Sequence, residues 1–368
     1  MHVPFCAQRC GYCSFSTGPW DRDRARRYLR AVRAEIAGAA QAPWAGGVVL
    51  DTVFFGGGTP SLLEVDELAA IVGDLGAAFA VRPGAEITAE CNPESAGVAR
   101  LLGYRRGGVT RISLGVQSLD DSILTSLDRL HTGDGAHAAF DAARTAGFDN
   151  VSVDLMYGLP GLDLPTWEAS VRGVLAWGPE HLSAYALTLD EGSRWHAAGV
   201  TGLPPEETVT GQYWRLARLA AEAGYEHYEI SNYARDGRRS EHNQVYWRHR
   251  EYLALGPAAC GFLGDVRYGN ARSVDRYCAA ISRGQSPVEF HETLTPRQQL
   301  AERIILGLRL RDGVPEEWLA ERLALDSGRL PGLLEDWGRQ GLLVAAEGRL
   351  RLTEAGFLLS DTLFAELL

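Results

Sequence analysis

The chain has 368 residues, 46% hydrophobic and 23% charged, an ordinary globular composition with room for one large domain and one or two smaller ones. A formal charge of −11, from 36 basic and 47 acidic side chains, argues against broad attraction to nucleic acid or anionic membrane, and no apolar run is long enough to span a bilayer. All 36 basic residues are arginine, which excludes lysine Schiff bases, pyridoxal phosphate anchoring and a Walker-type phosphate lysine.

Cys6, Cys10 and Cys13 stand at C-x3-C-x2-C spacing, with Pro4-Phe5 ahead of the first and Tyr12 between the last two. Three thiolates on one short loop can hold three irons of a [4Fe–4S] cluster. Such a cluster ordinarily takes four cysteines, so one iron is left open to another ligand. A zinc loop is the alternative, but zinc takes four ligands, usually in paired C-x2-C spacing, and only His2 could complete a set here. Cys91, Cys260 and Cys278 are scattered, so the cysteines form no disulfide scaffold. With no secretory signal expected ahead of Cys6, a reducing cytoplasm is the expected compartment.

Short apolar runs then alternate with amphipathic stretches. Residues 48–55, 85–91, 111–116, 151–155 and 181–187 read as buried strands, and 24–40, 62–79, 122–127 and 135–146 as helices between them. Repeated βα units with buried strands predict a parallel sheet covered by helices. With the N-terminal residues as a short first strand, the expectation is an α/β fold, a partial (β/α)6 barrel over 1–200. In such folds active residues gather at the carboxyl ends of the strands.

Gly-Leu-Pro-Pro-Glu-Glu at 202–207 marks a break. An extension over 201–290 follows, with a helix at 209–224, a segment at 225–233 and an arginine-rich turn at 235–240. The last unit, 291–368, opens with Thr295-Pro296-Arg297-Gln298, an N-cap, a first-turn proline and a capping-box glutamine. Leu300, Ile304 and Leu308 share one face of its helix. Helices near 316–323 and 330–340, then strands at 342–344 and 350–352, give the order of a winged-helix-like α+β domain. Such units often bind DNA, but 312–368 carry eleven acidic and five basic side chains. A structural cap or protein contact is therefore expected, with no nucleic-acid partner.

Polar residues recur where the barrel strands end. Gly56-Gly57-Gly58-Thr59-Pro60 follows the second strand; glycines permit positive φ and close ligand approach, and free amides can bind a carboxylate. Glu90 precedes Cys91-Asn92-Pro93, Gln117 ends Gly115-Val116-Gln117, Arg129 lies in Leu127-Asp128-Arg129-Leu130-His131, and Asp154 in Val153-Asp154-Leu155. Singly, each has a plain structural explanation: Glu90 and Arg129 as a surface pair, Gln117 satisfying backbone groups, Asp154 capping a helix. Four in order at the strand ends of one sheet favour a polar cofactor site.

The three-cysteine loop and the glycine run after the second strand resemble the radical SAM superfamily, in which S-adenosylmethionine (SAM) chelates the open iron through its amino and carboxylate groups. That resemblance implies Cys6, Cys10 and Cys13 as cluster ligands. It implies Gly57, Gly58, Thr59, Glu90, Gln117, Arg129 and Asp154 as the SAM site. From residue 2 to the final Leu352-Thr353-Glu354-Ala355-Gly356, the chain is similar to the coproporphyrinogen-oxidase-like branch, the HemN and HemW group. The oxygen-independent oxidases carry a further cysteine, in C-x3-C-x2-C-x-C; here that position is Phe15, as in the HemW type. His242-Asn243-Gln244-Val245-Tyr246-Trp247 matches the H-N-x-x-Y-W motif that this family uses in haem binding. An imidazole can ligate haem iron and Tyr and Trp offer flat apolar surfaces, so His242 is the candidate iron ligand and Asn243, Tyr246 and Trp247 candidate haem contacts. In an arbitrary protein the same triplet is a buried histidine with two core aromatics. Arg235, Arg238, Arg239, Arg248 and Arg250 either pair with haem propionates or form a solvated face.

Two positions depart from the family pattern. A tyrosine usual six residues ahead of the first cysteine has no counterpart in a chain that starts at Met1, so either one wall of the cofactor pocket is absent or the true start lies upstream. Cys260, in Ala258-Ala259-Cys260-Gly261, replaces a family histidine, as a soft iron ligand or, preferably, a small apolar filler. The resemblance implies a haem chaperone that binds a [4Fe–4S] cluster, SAM and haem, and transfers haem to an acceptor protein. Its expected electron donor is a low-potential flavodoxin or ferredoxin. An oxygen-independent coproporphyrinogen III oxidase working through a 5′-deoxyadenosyl radical is the alternative, against which Phe15 counts. A radical SAM C-methyltransferase is a third, against which the H-N-x-x-Y-W motif counts.

Overall fold

The computed structural model describes residues 1–325, 328 and 330–367. Six strands, β1 (His2–Val3), β2 (Val49–Gly57), β3 (Ala80–Cys91), β4 (Arg111–Gln117), β5 (Val151–Tyr157) and β6 (His181–Ala186), pair in parallel in chain order. This is the expected partial barrel. Along each strand successive side chains point to opposite faces. Val53 and Phe55, Ile87 and Ala89, Ile112 and Leu114, and Val153 and Leu155 are buried in the main apolar core. That core packs them against outer helices such as Arg22–Ala39, Val65–Ala78 and Gly133–Thr145. The alternate positions, Thr52, Glu86, Glu90, Arg111, Ser113, Ser152, Asp154, His181 and Ser183, therefore face the barrel interior. A polar interior is unusual for a packed barrel and marks a binding space.

The expected helix at 62–79 begins later. Pro60–Leu62 form a single 3-10 turn, and Glu64 starts the helix proper through a capping box with Glu67. Helices Val98–Arg106 and Leu164–Trp177, which were not among the expected elements, complete the βα units. The segment at 225–233 is a hairpin, β7 (Glu226–Glu229) and β8 (Asn232–Ala234), and β8 pairs antiparallel with β6. The sheet thus has eight strands in the order β1-β2-β3-β4-β5-β6-β8-β7, and part of the extension is the barrel's own edge. The rest of the extension includes helix Glu241–Trp247 and a sheet of Cys260–Leu263, Val266–Asn270 and Val288–Thr293.

The C-terminal unit has its own core around Ile304, Leu308, Val314, Trp337, Leu352 and Phe357. Helix Pro296–Leu308 starts as expected: Thr295 Oγ1 accepts from the Gln298 amide at 3.3 Å and Gln298 Oε1 from the Thr295 amide at 2.9 Å. Leu300, Ile304 and Leu308 are all buried. Helices Glu316–Leu325 and Leu330–Arg339 precede the hairpin Leu343–Ala346/Arg349–Leu352. Its turn residues Glu347 and Gly348 have φ of 56° and 71°, the two left-handed positions of a tight hairpin. Helices Glu354–Leu358 and Ser360–Leu367 close the core. Among the described residues no helix is long and apolar enough to cross a membrane.

Candidate functional site

The cysteine loop lies across the carboxyl end of the barrel. Phe5–Cys6 pairs in parallel with Gly18–Pro19, closing the loop. The Gly58 and Thr59 amides donate to the carbonyls of Val3 and Phe5 at 2.8 and 2.7 Å, fixing the loop over the end of β2. This approach is what demands the glycines. A Cβ on Gly58 would lie 2.4 Å from the Phe5 carbonyl oxygen, and Gly57 has φ +109° with His2 in the way of any side chain. Cys6, Cys10 and Cys13 line one cavity of about 430 Å3 together with Gly57, Gly58, Thr59, Glu90, Gln117, Arg129 and Asp154. The structure thus brings together every residue expected at the cluster and SAM. It adds Arg9, Asn92, Ser113, Met156, Tyr185 and Asp190, which no sequence signal singled out. Arg9, directly before Cys10, Asn92, directly after Glu90-Cys91, and Met156, two past Asp154, were near one.

Glu90 and Gln117 stand at the ends of β3 and β4, but Asp154 is in the middle of β5 and Arg129 lies beyond helix Asp121–Ser126, which corrects the expectation that all four mark strand ends. Glu90 Oε2 accepts from the Gly57 amide at 3.1 Å. Asp154 accepts from the Ser113 hydroxyl at 3.1 and 3.2 Å. Gln117 has φ 68° where the β4–β5 register slips, which turns its side chain at the mouth. Arg129 Nη2 donates to Asn92 Oδ1 at 2.8 Å and to the Gly115 carbonyl at 2.5 Å, and Nη1 lies 3.7 Å from Cys10 Sγ. Glu90 and Arg129 do not form a surface pair, and Asp154 caps no helix. Burial, and then the neighbouring Asp154, pushes Glu90 up to about 7. Burial also raises Asp154 against the help of Ser183, Arg111 and Ser113.

Two carboxyl groups raised side by side complement a cationic ligand, which would favour their ionised forms. SAM brings a sulfonium and an ammonium. Arg129 Nε is buried with no hydrogen-bond partner, a donor available to a ligand acceptor. Burial also raises the Cys6 and Cys13 thiols, and metal binding would draw them to thiolate. Among the described residues no three histidine, cysteine or carboxylate groups converge on one ion position. The donor set fits a [4Fe–4S] cluster with SAM.

The H-N-x-x-Y-W residues lie elsewhere, in helix Glu241–Trp247. Glu86, facing the interior, accepts from the His242 and Glu241 amides at 2.9 and 3.1 Å, and Ser240 caps the helix through the Asn243 amide. His242 stacks on Phe54 at 5.0 Å. Its Nδ1 is 2.7 Å from Thr52 Oγ1 and its Nε2 2.8 Å from the Tyr246 hydroxyl. Burial lowers its pKa to about 3, so the imidazole is neutral. It lines a second cavity of about 540 Å3 along the amino-terminal half of β2. Tyr246 stands behind this wall, against His242 and, edge-on at 4.6 Å, against Tyr252, which lines the cavity. Trp247 packs instead on the Arg309 guanidinium at 4.4 Å.

The arginine group resolves as ion pairs. Arg235 faces Glu180, Arg238 Asp149, Arg239 Glu226 and Asp312, Arg248 Asp312, and Arg250 Asp51. Cys260 is exposed at the start of its strand, which corrects the expectation of a buried filler.

Residues 1–172 match the family model of the Radical SAM superfamily and residues 294–359 that of the HemN C-terminal domain. "Heme chaperone HemW" of Mycobacterium tuberculosis is 37% identical across 86% of this chain and 82% of its own length. Its namesake in Bacillus subtilis is 32% identical across 100% and 98%. The chain belongs to the HemW family of radical SAM proteins. Membership in that superfamily implies SAM and a [4Fe–4S] cluster. Among solved structures, coproporphyrinogen III oxidase (HemN) from Escherichia coli is similar with a TM-score of 0.86 at 21% identity, covering 100% of this chain and 88% of that one. The HemW family and the oxidase therefore share a fold. In this HemW family member Phe15 lines the cluster cavity, where the oxidase pattern has its further cysteine.

Proposed function

We propose that the protein is a haem chaperone. It binds a [4Fe–4S] cluster through Cys6, Cys10 and Cys13, SAM across the carboxyl ends of β2 to β5, and haem beside His242, and it passes haem to an acceptor protein. The observation that carries this reading is the pair of cavities on β2, one walled by the cysteines and the SAM candidates, the other by the motif histidine. When bound, the cluster supplies an open iron for SAM and a port for electrons from a flavodoxin or ferredoxin.

The chain's own groups have definite tasks. Glu90 and Asp154 place negative charge against the cationic part of SAM. Arg129, whose buried Nε has no partner of its own, receives its carboxylate, while the glycine run lets the ligand come close to the backbone. Thr52 can accept the Nδ1 proton of His242, which leaves Nε2 as the Lewis base. That is how an outer hydroxyl fixes the tautomer of an iron-binding histidine. In that tautomer Nε2, 2.8 Å from the Tyr246 hydroxyl, accepts its proton, so iron would displace one phenol hydrogen bond. The test is anaerobic reconstitution with iron and sulfide, followed by haem titration. A stoichiometric Soret band that His242→Ala abolishes is expected. Consumption of coproporphyrinogen with matching 5′-deoxyadenosine would overturn the reading in favour of the oxidase.

A further inference from the structure

The cavity beside His242 does not end there. Its main part is apolar, walled by Trp44, Val49, Phe54, Leu75 and Leu263. Beside it is a pocket of about 270 Å3 whose lining includes Asp51, Arg82, Glu241, Arg248 and Arg250. Asp51, Thr52, Val245 and Arg250 line both, so the two spaces adjoin. Thr52, the partner of His242 Nδ1, stands at their border. The larger space alone has the volume of a small-molecule site, roughly 300–1,000 Å3. An apolar slot that opens onto three guanidinium groups complements one kind of ligand, a flat apolar ring with carboxylates along one edge.

We propose that these adjoining cavities form the haem site, with the macrocycle in the apolar one beside His242 and the propionates on Arg82, Arg248 and Arg250. The proposal rests on the haem-chaperone reading and adds to it the place and the anchors. Arg82 bonds Asp51 at 3.1 Å and Glu241 at 2.6 Å, and Arg250 bonds Asp51 at 2.7 Å. Arg248 donates to Gln244 at 2.9 Å and lies 3.6 Å from Asp312. A guanidinium has five N–H donors, and these contacts use one or two on each. The three side chains are 40%, 52% and 57% exposed, so they can swing onto an incoming carboxylate. Three basic groups face the two acids Asp51 and Glu241 within the pocket. The cysteine cavity is the opposite, with Arg9 and Arg129 against Glu90, Asp154 and Asp190, and it disfavours a dicarboxylate.

Placement also sets the relation between the ligands. Phe54 at one cavity and Gly57 at the other are three positions apart on β2, or roughly 10 Å at ~3.3 Å per residue, and the two cavities share no lining residue. Haem and SAM therefore bind together rather than compete.

The experiment compares haem with haem dimethyl ester on the cluster-loaded protein, with and without saturating SAM, and repeats it on Arg82→Gln/Arg250→Gln. Wild type should bind the ester about tenfold or more weakly, since esterification removes charge-assisted bonds. The double variant should lose that discrimination while keeping its cluster and its thermal midpoint. SAM should leave haem affinity unchanged. Equal binding of haem and ester by wild type, or displacement of haem by SAM, overturns the assignment and leaves the chaperone reading standing. No haem binding at all removes the chaperone reading itself.

Discussion

Replacing Glu90 by Gln isolates the electrostatic strain in the cofactor cavity. The side chain keeps an oxygen for the Gly57 amide but no longer titrates. In the unfolded chain the glutamate has a pKa of 4.5, and in the fold about 7, because burial and then the Asp154 charge oppose ionisation. Below pH 4.5 both states hold the proton. As pH rises from 4.5 to 7 the unfolded chain releases it first, so folded stability falls through this window and stays lower above it. The difference of roughly 2.5 pH units corresponds to about 3 kcal/mol at ~1.36 kcal/mol per unit. Urea unfolding of cluster-free protein at a series of pH values measures this. The stability of Glu90→Gln relative to wild type should climb by about that amount between pH 4.5 and 8. With SAM present the variant should bind more weakly, because the charge that costs stability in the empty cavity is the one the sulfonium needs. Parallel pH profiles for the two proteins would refute the reasoning.

Cys10→Ala should leave no reconstituted cluster by iron and sulfide analysis, and full retention would contradict the ligand assignment. Gly58→Ala should lower SAM affinity and cluster retention together, since a Cβ there meets the Phe5 carbonyl at 2.4 Å; isothermal titration and absorption give the two readings. Thr295→Ala, which removes a capping box, should cost about 1 kcal/mol in urea unfolding. His242 should contribute no protonation step to haem affinity between pH 5 and 8, read by comparing the pH profile of wild type with that of His249→Gln, because His242 is held neutral down to about 3 and protons compete for its nitrogen only below that.

The cofactor cavity was legible in the sequence because each part is local. The cysteines sit on one loop, the glycine run, Glu90 and Gln117 mark the ends of apolar strands whose order in the sheet follows their order in the chain, Asp154 is on the next of those strands, and Arg129 follows β4 by one short helix. Period-two alternation then fixes which of them face inward. The capping box at Thr295 was legible for the same reason. What escaped depends on distant parts of the chain meeting. Ser113 and Tyr185 look like ordinary strand residues until the sheet curls around the cavity. The β7–β8 hairpin is too short to announce its pairing with β6. The arginines of the extension read as a free basic cluster, but their carboxylate partners, Asp51, Asp149, Glu180 and Asp312, are scattered along the chain. Arg82, on β3, gave no hint that it shares a pocket with Arg250.

The most direct test is a single preparation carrying both groups, made by anaerobic cluster reconstitution and then haem loading, with inorganic and haem iron counted per chain. Cluster and haem should coexist at full occupancy, Cys10→Ala should remove only the cluster, and His242→Ala only the haem. Haem that displaces the cluster, or a single substitution that removes both, would contradict two separate sites on one barrel.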